Sequence, residues 1–477
     1  MEFKVRLLRN GGAVKMAKQD FDDTIGAVST PPGEGALGII RLSGNESIPA
    51  AEKIFRSSSG TRLSDFSPNT VHHGRIVDAE GRMVDDVMIA CFRSPHSYTG
   101  EDMVEISAHG GMKILKTITG LLVKQGVRHA EPGEFTKRAF LNGKMDLAQA
   151  EAVLDLIRAK TESAHRQAVL QLQGAFSEKI RDLREGILGV CAVAEASIDF
   201  PEEELDIDPA AEVTKNLIPV IREIDGMIQG FRRGAILREG ALVVIAGKPN
   251  VGKSSLLNAL LERDRAIVSH LPGTTRDILE EELEIGGFLV RIVDTAGIRS
   301  DPDGVEKMGI ERAKNYLTDA QLVLMVLDGS REPDGEDRKI LESLKDKKII
   351  LVFNKSDLPA KTDPEKFSGI VPPLGAVCVS AKTSAGVSDL EEAIRKAIWD
   401  EGLPTDSAWL TRLRHKQALE SARECFARAE EGLRKGLSME FIAFDLRQGV
   451  DCLGEIIGEV YSEEILGRIF RDFCIGK

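Results

Sequence analysis

One stretch constrains this chain more than any other: Gly247-Lys248-Pro249-Asn250-Val251-Gly252-Lys253-Ser254. An apolar run, Ala241 to Ala246, precedes it and reads as a buried parallel strand. Ser255 to Glu262 follows and reads as a helix. Strand, glycine-rich turn, helix is the context in which G-x-x-x-x-G-K-[ST] cradles phosphate. The glycines let the backbone curl so that several N–H groups converge on anionic oxygens, and the helix N-terminus adds its partial positive charge. In such a loop Lys253 reaches the β- and γ-phosphates, and the Ser254 hydroxyl sits on Mg²⁺.

Four further stretches fit the same site. Gly273-Thr274-Thr275-Arg276-Asp277 forms a polar loop after the first helix, where a threonine completes Mg²⁺ coordination and senses the γ-phosphate. Phe288 to Asp294 reads as a strand running into Asp294-Thr295-Ala296-Gly297. An aspartate at a strand's carboxyl end holds Mg²⁺, usually through water, and the glycine N–H faces the γ-phosphate. Ile349 to Phe353 ends in Asn354-Lys355-Ser356-Asp357. A carboxylate there accepts from the N1–H and 2-amino group of guanine, a donor pair that adenine lacks, which argues for GTP over ATP. Ala376 to Val379 leads into Ser380-Ala381-Lys382, a loop able to close over the base. Each motif alone is weak. In this order, each at a strand end or in a loop where open α/β sheets bind ligands, the set resembles a Ras-like P-loop GTPase domain over residues 240–401. One departure stands out. Ras carries a water-positioning glutamine after its aspartate-x-x-glycine motif, whereas this chain has Ile298. Help for hydrolysis must come from elsewhere, the candidates being Arg299, Glu306, a second cation or a partner's side chain, with Arg276 and Arg299 as possible arginine fingers.

The rest of the chain sets limits. At 477 residues it has room for two to four domains. Its net charge of −13 excludes bulk attraction to polyanions, so any nucleic-acid contact is local or carried by a partner. The six cysteines are scattered without a C-x-x-C pair, which suggests neither a zinc site nor a disulfide framework. No apolar run is long enough to span a bilayer. The expected compartment is the cytoplasm, with the mitochondrial matrix as the alternative if the basic first residues are a transit peptide. Residues 1–22 read as an N-terminal extension, with Met16 a candidate true start.

Residues 23–142 read as a compact α/β domain. Short apolar strands flank the Pro/Gly loop between Thr24 and Gly44, and strand-like runs recur at Thr70–Val77 and Asp86–Phe92. Arg41 alternates with Ile40 and Leu42 and so points to the opposite face from them. From Leu147 the spacing becomes helical and continues to about Ser197. The acidic loop Asp199 to Asp208 breaks it, and a further helix runs from about Pro209 to Arg232. Helical spacing returns at Thr411–Gly432 and Met439–Gly454. The architecture expected is multidomain α/β plus α: a helical domain, 143–239 with 402–477, into which the GTPase domain is inserted. Cys474, fourth from the end, mimics a prenylation box that Gly476 and Lys477 do not fit. The residues alone leave it as either a reactive thiol on a mobile tail or a buried structural cysteine.

Phe473-Cys474-Ile475-Gly476-Lys477, the Gly273–Asp277 loop, Pro132-Gly133-Glu134-Phe135 and Phe140-Leu141-Asn142-Gly143-Lys144-Met145-Asp146 together resemble the MnmE (TrmE) family of tRNA modification GTPases. The match covers nearly everything after about Asp23. The resemblance implies an N-terminal folate-binding-like domain that also forms a homodimer. It implies a one-carbon donor of the 5-formyltetrahydrofolate or methylene-tetrahydrofolate type, with Arg41, Glu105, Lys144 and Lys477 at the matching positions. It implies potassium-stimulated GTP hydrolysis, with Asn250, Ser269, Leu271 and Thr274 around K⁺ and Ser254 and Thr275 on Mg²⁺. The GTP contacts it implies are Asn250, Val251, Gly252, Lys253, Ser254, Ser255, Ser269, Thr274, Thr275, Asp294, Thr295, Ala296, Gly297, Asn354, Lys355, Asp357, Ser380, Ala381 and Lys382. Glu306 matches the glutamate that orients the attacking water, and Cys474 becomes a candidate catalytic thiol. The implied activity is installed with an MnmG-type FAD/NADH-dependent partner. It adds an aminomethyl or carboxymethylaminomethyl group to C5 of the wobble uridine of certain tRNAs. The alternative is a regulatory or assembly-factor GTPase switch without a modification role. No basic stripe marks a path for tRNA.

Overall fold

The computed structural model describes residues 23–199, 208–263, 280–294, 315–362, 374–399 and 409–477. The chain divides into two compact units, one of residues 1–154 with 454–477 and one of residues 155–453.

The first unit is built on a seven-stranded sheet. Its strands are β1 (Ile25–Val28), β2 (Gly35–Ser43), β3 (Phe55–Ser57), β4 (Val71–Val77), β5 (Met83–Phe92), β6 (Met103–Gly110) and β7 (Arg128–His129), in the order β3-β4-β5-β6-β2-β1-β7. Alternation decides what each strand buries. Ile40 and Leu42 of β2 are fully buried with Ile89 of β5 and Val104 and Ile106 of β6, under the helices Ser47–Ile54 and Met112–Lys124. Arg41, between them, faces the other way and is directly opposite Glu105 in the antiparallel β2–β6 register. Residues 454–477, which the sequence reading places with the helical segment, make their contacts in this unit. The reason is apolar burial. Leu466, Phe470 and Phe473 join Phe140, Leu141, Leu147, Ala150 and Leu154 in one cluster, presented by a helix, Glu463–Arg471, that the sequence reading did not single out.

A buried cation holds the first unit together. Arg138, on the helix Glu134–Leu141, has a side chain 1% exposed. It pairs with Asp23 at 2.7 Å, Glu134 at 3.1 Å and Glu101 at 3.3 Å. Arg138→Met is therefore expected to destabilise this unit by roughly 3–5 kcal/mol, because it strands carboxylates selected to face a guanidinium. The test is the denaturant midpoint against the wild type. Burial pushes the Asp23 carboxyl up, but hydrogen bonds from Arg128 and Arg138 outweigh it and the net shift is down. Glu134 follows the same balance. The ordinary values are 3.8 for the aspartate and 4.5 for the glutamate, so this stabilisation is complete above them. It is lost as pH falls through the lower folded-state values. The variant's stability should thus converge on the wild type's only in strong acid.

The second unit contains a six-stranded sheet of β8 (Ala241–Ala246), β9 (Glu280–Ile285), β10 (Phe288–Asp294), β11 (Leu322–Asp328), β12 (Ile349–Asn354) and β13 (Gly375–Cys378), ordered β13-β12-β11-β8-β10-β9. All neighbours are parallel except the edge pair β9–β10. Parallel strands are buried on both faces and read as continuous apolar runs. In β8, Ala241, Val243 and Ile245 pack with the helices Lys253–Arg263 and Val387–Ile398. Leu242, Val244 and Ala246 pack on the other face with Leu341 of the helix Gly335–Ser343.

The helical part of this unit comprises Glu162–Leu172, Ala175–Asp199, Pro209–Glu239, Leu413–Arg434 and the first turns of Met439–Ile457. The helix from Pro209 runs past the expected end near Arg232 to Glu239, where Gly240 at φ +83° stops it one residue before β8. Asp208 caps its start by accepting from the Ala210 N–H.

Candidate functional site

The second unit places the nucleotide motifs at the carboxyl ends of β8, β10, β12 and β13. The loop between β8 and the helix Lys253–Arg263 turns through Gly247, Asn250 and Gly252, all at positive φ. Gly252, at φ +95°, also lies against Asn354, and a Cβ there would sit 2.2 Å from Asn354 Nδ2. Lys253 is 5% exposed, and its Nζ donates to the Gly247 carbonyl at 2.9 Å and the Lys248 carbonyl at 2.7 Å. The Ser254 hydroxyl donates to Asp294 Oδ2 at 2.6 Å. That pair joins the helix start to the end of β10 and sets one hydroxyl beside one buried carboxylate. Hard oxygen donors in small number suit Mg²⁺, which keeps waters and takes the remaining ligands from phosphate.

Asn354 is the hub of the base side. Buried at 2%, it donates through Nδ2 to the Val251 carbonyl at 2.9 Å and accepts at Oδ1 from the Ala381 N–H at 3.0 Å. One side chain thereby ties the phosphate loop to the Ser380–Lys382 loop. Ser380 donates through its hydroxyl to Asp357 Oδ1 at 2.6 Å. That hydrogen bond holds the exposed Asp357 carboxyl below its ordinary value, with Lys382 and Lys355 adding to the effect. An ionised carboxylate at the rim accepts from two donors at once, which is what guanine offers. Lys355 Nζ reaches the Asn250 carbonyl at 3.2 Å. Asn250 itself is exposed on the outer rim at φ +65°. Ser255 follows Ser254 in the helix's first turn and is also exposed. Lys382 is exposed beside the buried Ser380.

Gly273, Arg276 and Asp277 lie outside the described residues, as do Ser269, Leu271, Thr274, Thr275, Thr295, Ala296, Gly297, Ile298, Arg299 and Glu306. Three residues that the sequence reading did not single out also touch the loop's supports. Asp328, at the end of β11, pairs with Lys355, and Asp334 and Asp337 pair with Lys248. The available signal was an aspartate closing the apolar run Leu322–Leu327.

The first unit brings a second set together. Arg41 meets Glu105 with Nε at 2.9 Å and Nη2 at 2.8 Å from Oε1. Its guanidinium lies 5.4 Å from the centre of the Tyr98 ring and 5.8 Å from that of Phe135. Tyr98 donates to or accepts from Thr136 Oγ1 at 2.8 Å, and burial pushes its phenol up. The chain's last residues dock beside this pair. Arg41 Nη1 reaches the Gly476 carbonyl at 3.5 Å, and the Phe135 N–H donates to Lys477 O at 3.2 Å. Gly476, at φ +93°, comes so close to β1 that a Cβ would sit 2.6 Å from the Val28 carbonyl. Lys144 Nζ donates to the Pro95 carbonyl at 3.0 Å and so reaches the loop that carries Tyr98. The Cys474 carbonyl accepts from Gly133 and Lys477, while its thiol is exposed. The tail is thus docked, and the cysteine on it faces outward. Among the described residues no group of three or more His, Cys, Asp and Glu is placed to hold a metal.

Comparison with known proteins covers 96% of the chain. A model of the MnmE helical domain matches residues 147–474, and one of the GTP-binding protein TrmE N-terminus matches residues 24–144. The tRNA modification GTPase MnmE of Natranaerobius thermophilus is 44% identical over 458 residues, spanning 96% of this chain and 100% of that protein. Those of Carboxydothermus hydrogenoformans and Moorella thermoacetica are 45% identical over 460 and 466 residues, with the same coverage of 96% and 100%. Among solved structures, Aquifex aeolicus Era bound to GDP.AlF4- is 31% identical, covering 38% of this chain and 65% of that one at a TM-score of 0.27.

Proposed function

The chain belongs to the MnmE family of tRNA modification GTPases, and we propose that it couples potassium-stimulated GTP hydrolysis to one-carbon modification of a tRNA wobble uridine. It is a GTP hydrolase. No helix among the described residues is long and apolar enough to cross a membrane.

The observation that supports the proposal is that two separate sets of side chains come together, Lys253, Ser254, Asn354 and Asp357 in one unit and Arg41, Glu105 and the chain's last residues in the other. A GTPase acting only as a switch or assembly factor has no use for the second. In the first site Lys253 binds the β- and γ-phosphates, Ser254 and Asp294 hold Mg²⁺, and Asp357 accepts from guanine. Mg²⁺ supplies neutralisation of the charge that develops on the phosphates. Thr275, Gly297 and the neighbouring Thr295 and Ala296 complete the γ-phosphate side. Asn250, with Ser269, Leu271 and Thr274, holds K⁺, whose charge does the electrostatic work of an arginine finger. Glu306 orients water in place of the glutamine that Ile298 replaces.

In the second site Arg41, fixed by Glu105 and stacked near Tyr98 and Phe135, faces a planar, anionic ligand. A tetrahydrofolate donor has both properties, its pterin for the rings and its glutamate carboxylates for Lys144 and Lys477. The protein acts as a homodimer through the first unit, on tRNA, with a flavin-dependent MnmG-type partner that supplies the redox chemistry. Cys474, exposed, lies two residues before Gly476, whose carbonyl Arg41 reaches.

The test is titration of the full chain with 5-formyltetrahydrofolate, followed by calorimetry. Arg41→Ala should weaken binding roughly tenfold or more, as loss of a charge-assisted bidentate partner does. GTP hydrolysis by that variant should be unchanged. No folate binding by the wild type would remove the one-carbon half of the proposal and favour the switch reading.

A further inference from the structure

The phosphate loop is braced from outside as well as from within. The last residue of β11, through Lys355, and the start of the helix Gly335–Ser343 grip it at two points that flank Pro249. Lys248 Nζ lies 2.7 Å from Asp334 Oδ2 and 2.8 Å from Asp337 Oδ2. The Asp337 side chain is 6% exposed, and with Asp334 it closes the capping box that starts the helix Gly335–Ser343. Lys355 Nζ bridges the Asn250 carbonyl and Asp328 Oδ2, the latter at 2.7 Å. Asp328 is itself fixed, since its Oδ1 accepts from the Ser330 N–H at 3.0 Å and hydroxyl at 2.6 Å. Asn250 and Lys355 both adopt left-handed backbone, at φ +65° and +67°. Non-glycine residues persist there only where their surroundings over-determine them.

A lysine ammonium is a point charge on a flexible four-carbon stem, and its partners decide where it sits. Among the described residues the ion pair that Lys355 makes is with Asp328, which is 10% exposed. We propose that Asp328 is a positioning residue of the nucleotide site, acting through Lys355, and that Asp337 acts likewise through Lys248. Neither acid is placed on the nucleotide. Together they hold the rim residues 248–250 in the conformation that receives it. This inference rests on the assignment of a guanine nucleotide to the loop.

Because the brace falls on the loop and not on the transferred phosphoryl group, its loss weakens ground state and transition state alike. Such a loss raises KM with kcat nearly unchanged. Asp328→Asn keeps the shape and can retain the Ser330 contacts but removes the charge that holds Lys355. The full-length protein is titrated with N-methylanthraniloyl-GDP as wild type, Asp328→Asn, Lys355→Met and the double variant. Asp328→Asn should weaken binding roughly tenfold to hundredfold, the upper scale of interaction energies within one ion-pair network. In the Lys355→Met background the same change should cost about twofold or less, because coupled residues are not additive. An acid with only a general structural role would lower the melting temperature and the active fraction without altering the affinity of the folded remainder. Unchanged affinity in folded Asp328→Asn, or losses that simply multiply in the double variant, would overturn the proposal. The Lys248→Met and Asp337→Asn cycle reads the same coupling independently if Asp328→Asn does not fold. A wild type that binds no guanine nucleotide would instead overturn the site assignment, and with it this inference.

Discussion

Asp357→Asn is expected to move the nucleotide preference of this protein from guanine to xanthine. The wild-type carboxylate is exposed at the end of β12, is set by the Ser380 hydroxyl at 2.6 Å, and is held below its ordinary value by that bond. It is therefore an acceptor only, matched to the N1–H and the 2-amino group of guanine. An asparagine side chain keeps one acceptor and turns a donor toward the second group. Two hydrogen bonds to a charged acceptor are worth about 1.5–3 kcal/mol each, so GTP affinity should fall roughly 10²- to 10⁴-fold. Xanthine carries a carbonyl where guanine carries its amino group, so XTP should bind the variant more tightly than GTP does. Competition of both nucleotides against labelled GDP measures this. GTP binding that survives the change would mean that the base is held elsewhere.

Lys253→Met should abolish hydrolysis while leaving the fold intact. The wild-type ammonium is buried, and its anchors are carbonyls of its own loop at 2.9 and 2.7 Å. Methionine fills the same channel with an apolar stem and cannot donate to phosphate. Removing one preorganised donor from developing charge costs about 10²–10³ in rate, and the ground-state loss of phosphate binding adds to this. Single-turnover phosphate release, with circular dichroism as the control for folding, reads the two effects apart. A variant that hydrolyses GTP within tenfold of the wild-type rate (an order-of-magnitude threshold) would show that another residue holds the β- and γ-phosphates.

Much of this site was legible because the chemistry is local in sequence. A phosphate loop needs its glycines, lysine and serine within eight residues, and base recognition needs Asn354, Lys355 and Asp357 at one strand end. Their spacing is therefore itself the signal. The Arg41–Glu105 pair was half legible. Alternation put Arg41 on the face away from Ile40 and Leu42, but its partner depends on which strand lies alongside β2. The register supplies Glu105. Asp328, Asp334 and Asp337 were not legible, because each acts by contact with a lysine far along the chain. An aspartate ending an apolar strand is also an ordinary strand end. The packing of 454–477 against residues of the first unit was not legible for a related reason. Helical spacing identifies an amphipathic face but not what covers it, and Phe470 and Phe473 are covered by residues more than three hundred positions earlier in the chain. The helix Pro209–Glu239 ran long because Gly234 does not end it: that glycine is buried inside the helix, where a Cβ would meet the Leu410 carbonyl, and the stop comes only at Gly240.

On the proposed function, GTP hydrolysis is assisted by a cation at the rim of the phosphate loop, in place of the glutamine that Ile298 replaces. The most direct measurement is the hydrolysis rate of the purified full chain in potassium chloride and in sodium chloride at equal ionic strength, with Asn250→Ala alongside. The account predicts a rate in potassium at least about tenfold above that in sodium, the scale of one lost electrostatic contact to the transition state. It predicts that Asn250→Ala removes the difference and leaves the slower rate. Equal rates in the two salts would contradict it, and would point to an external activator and a switch role for the protein.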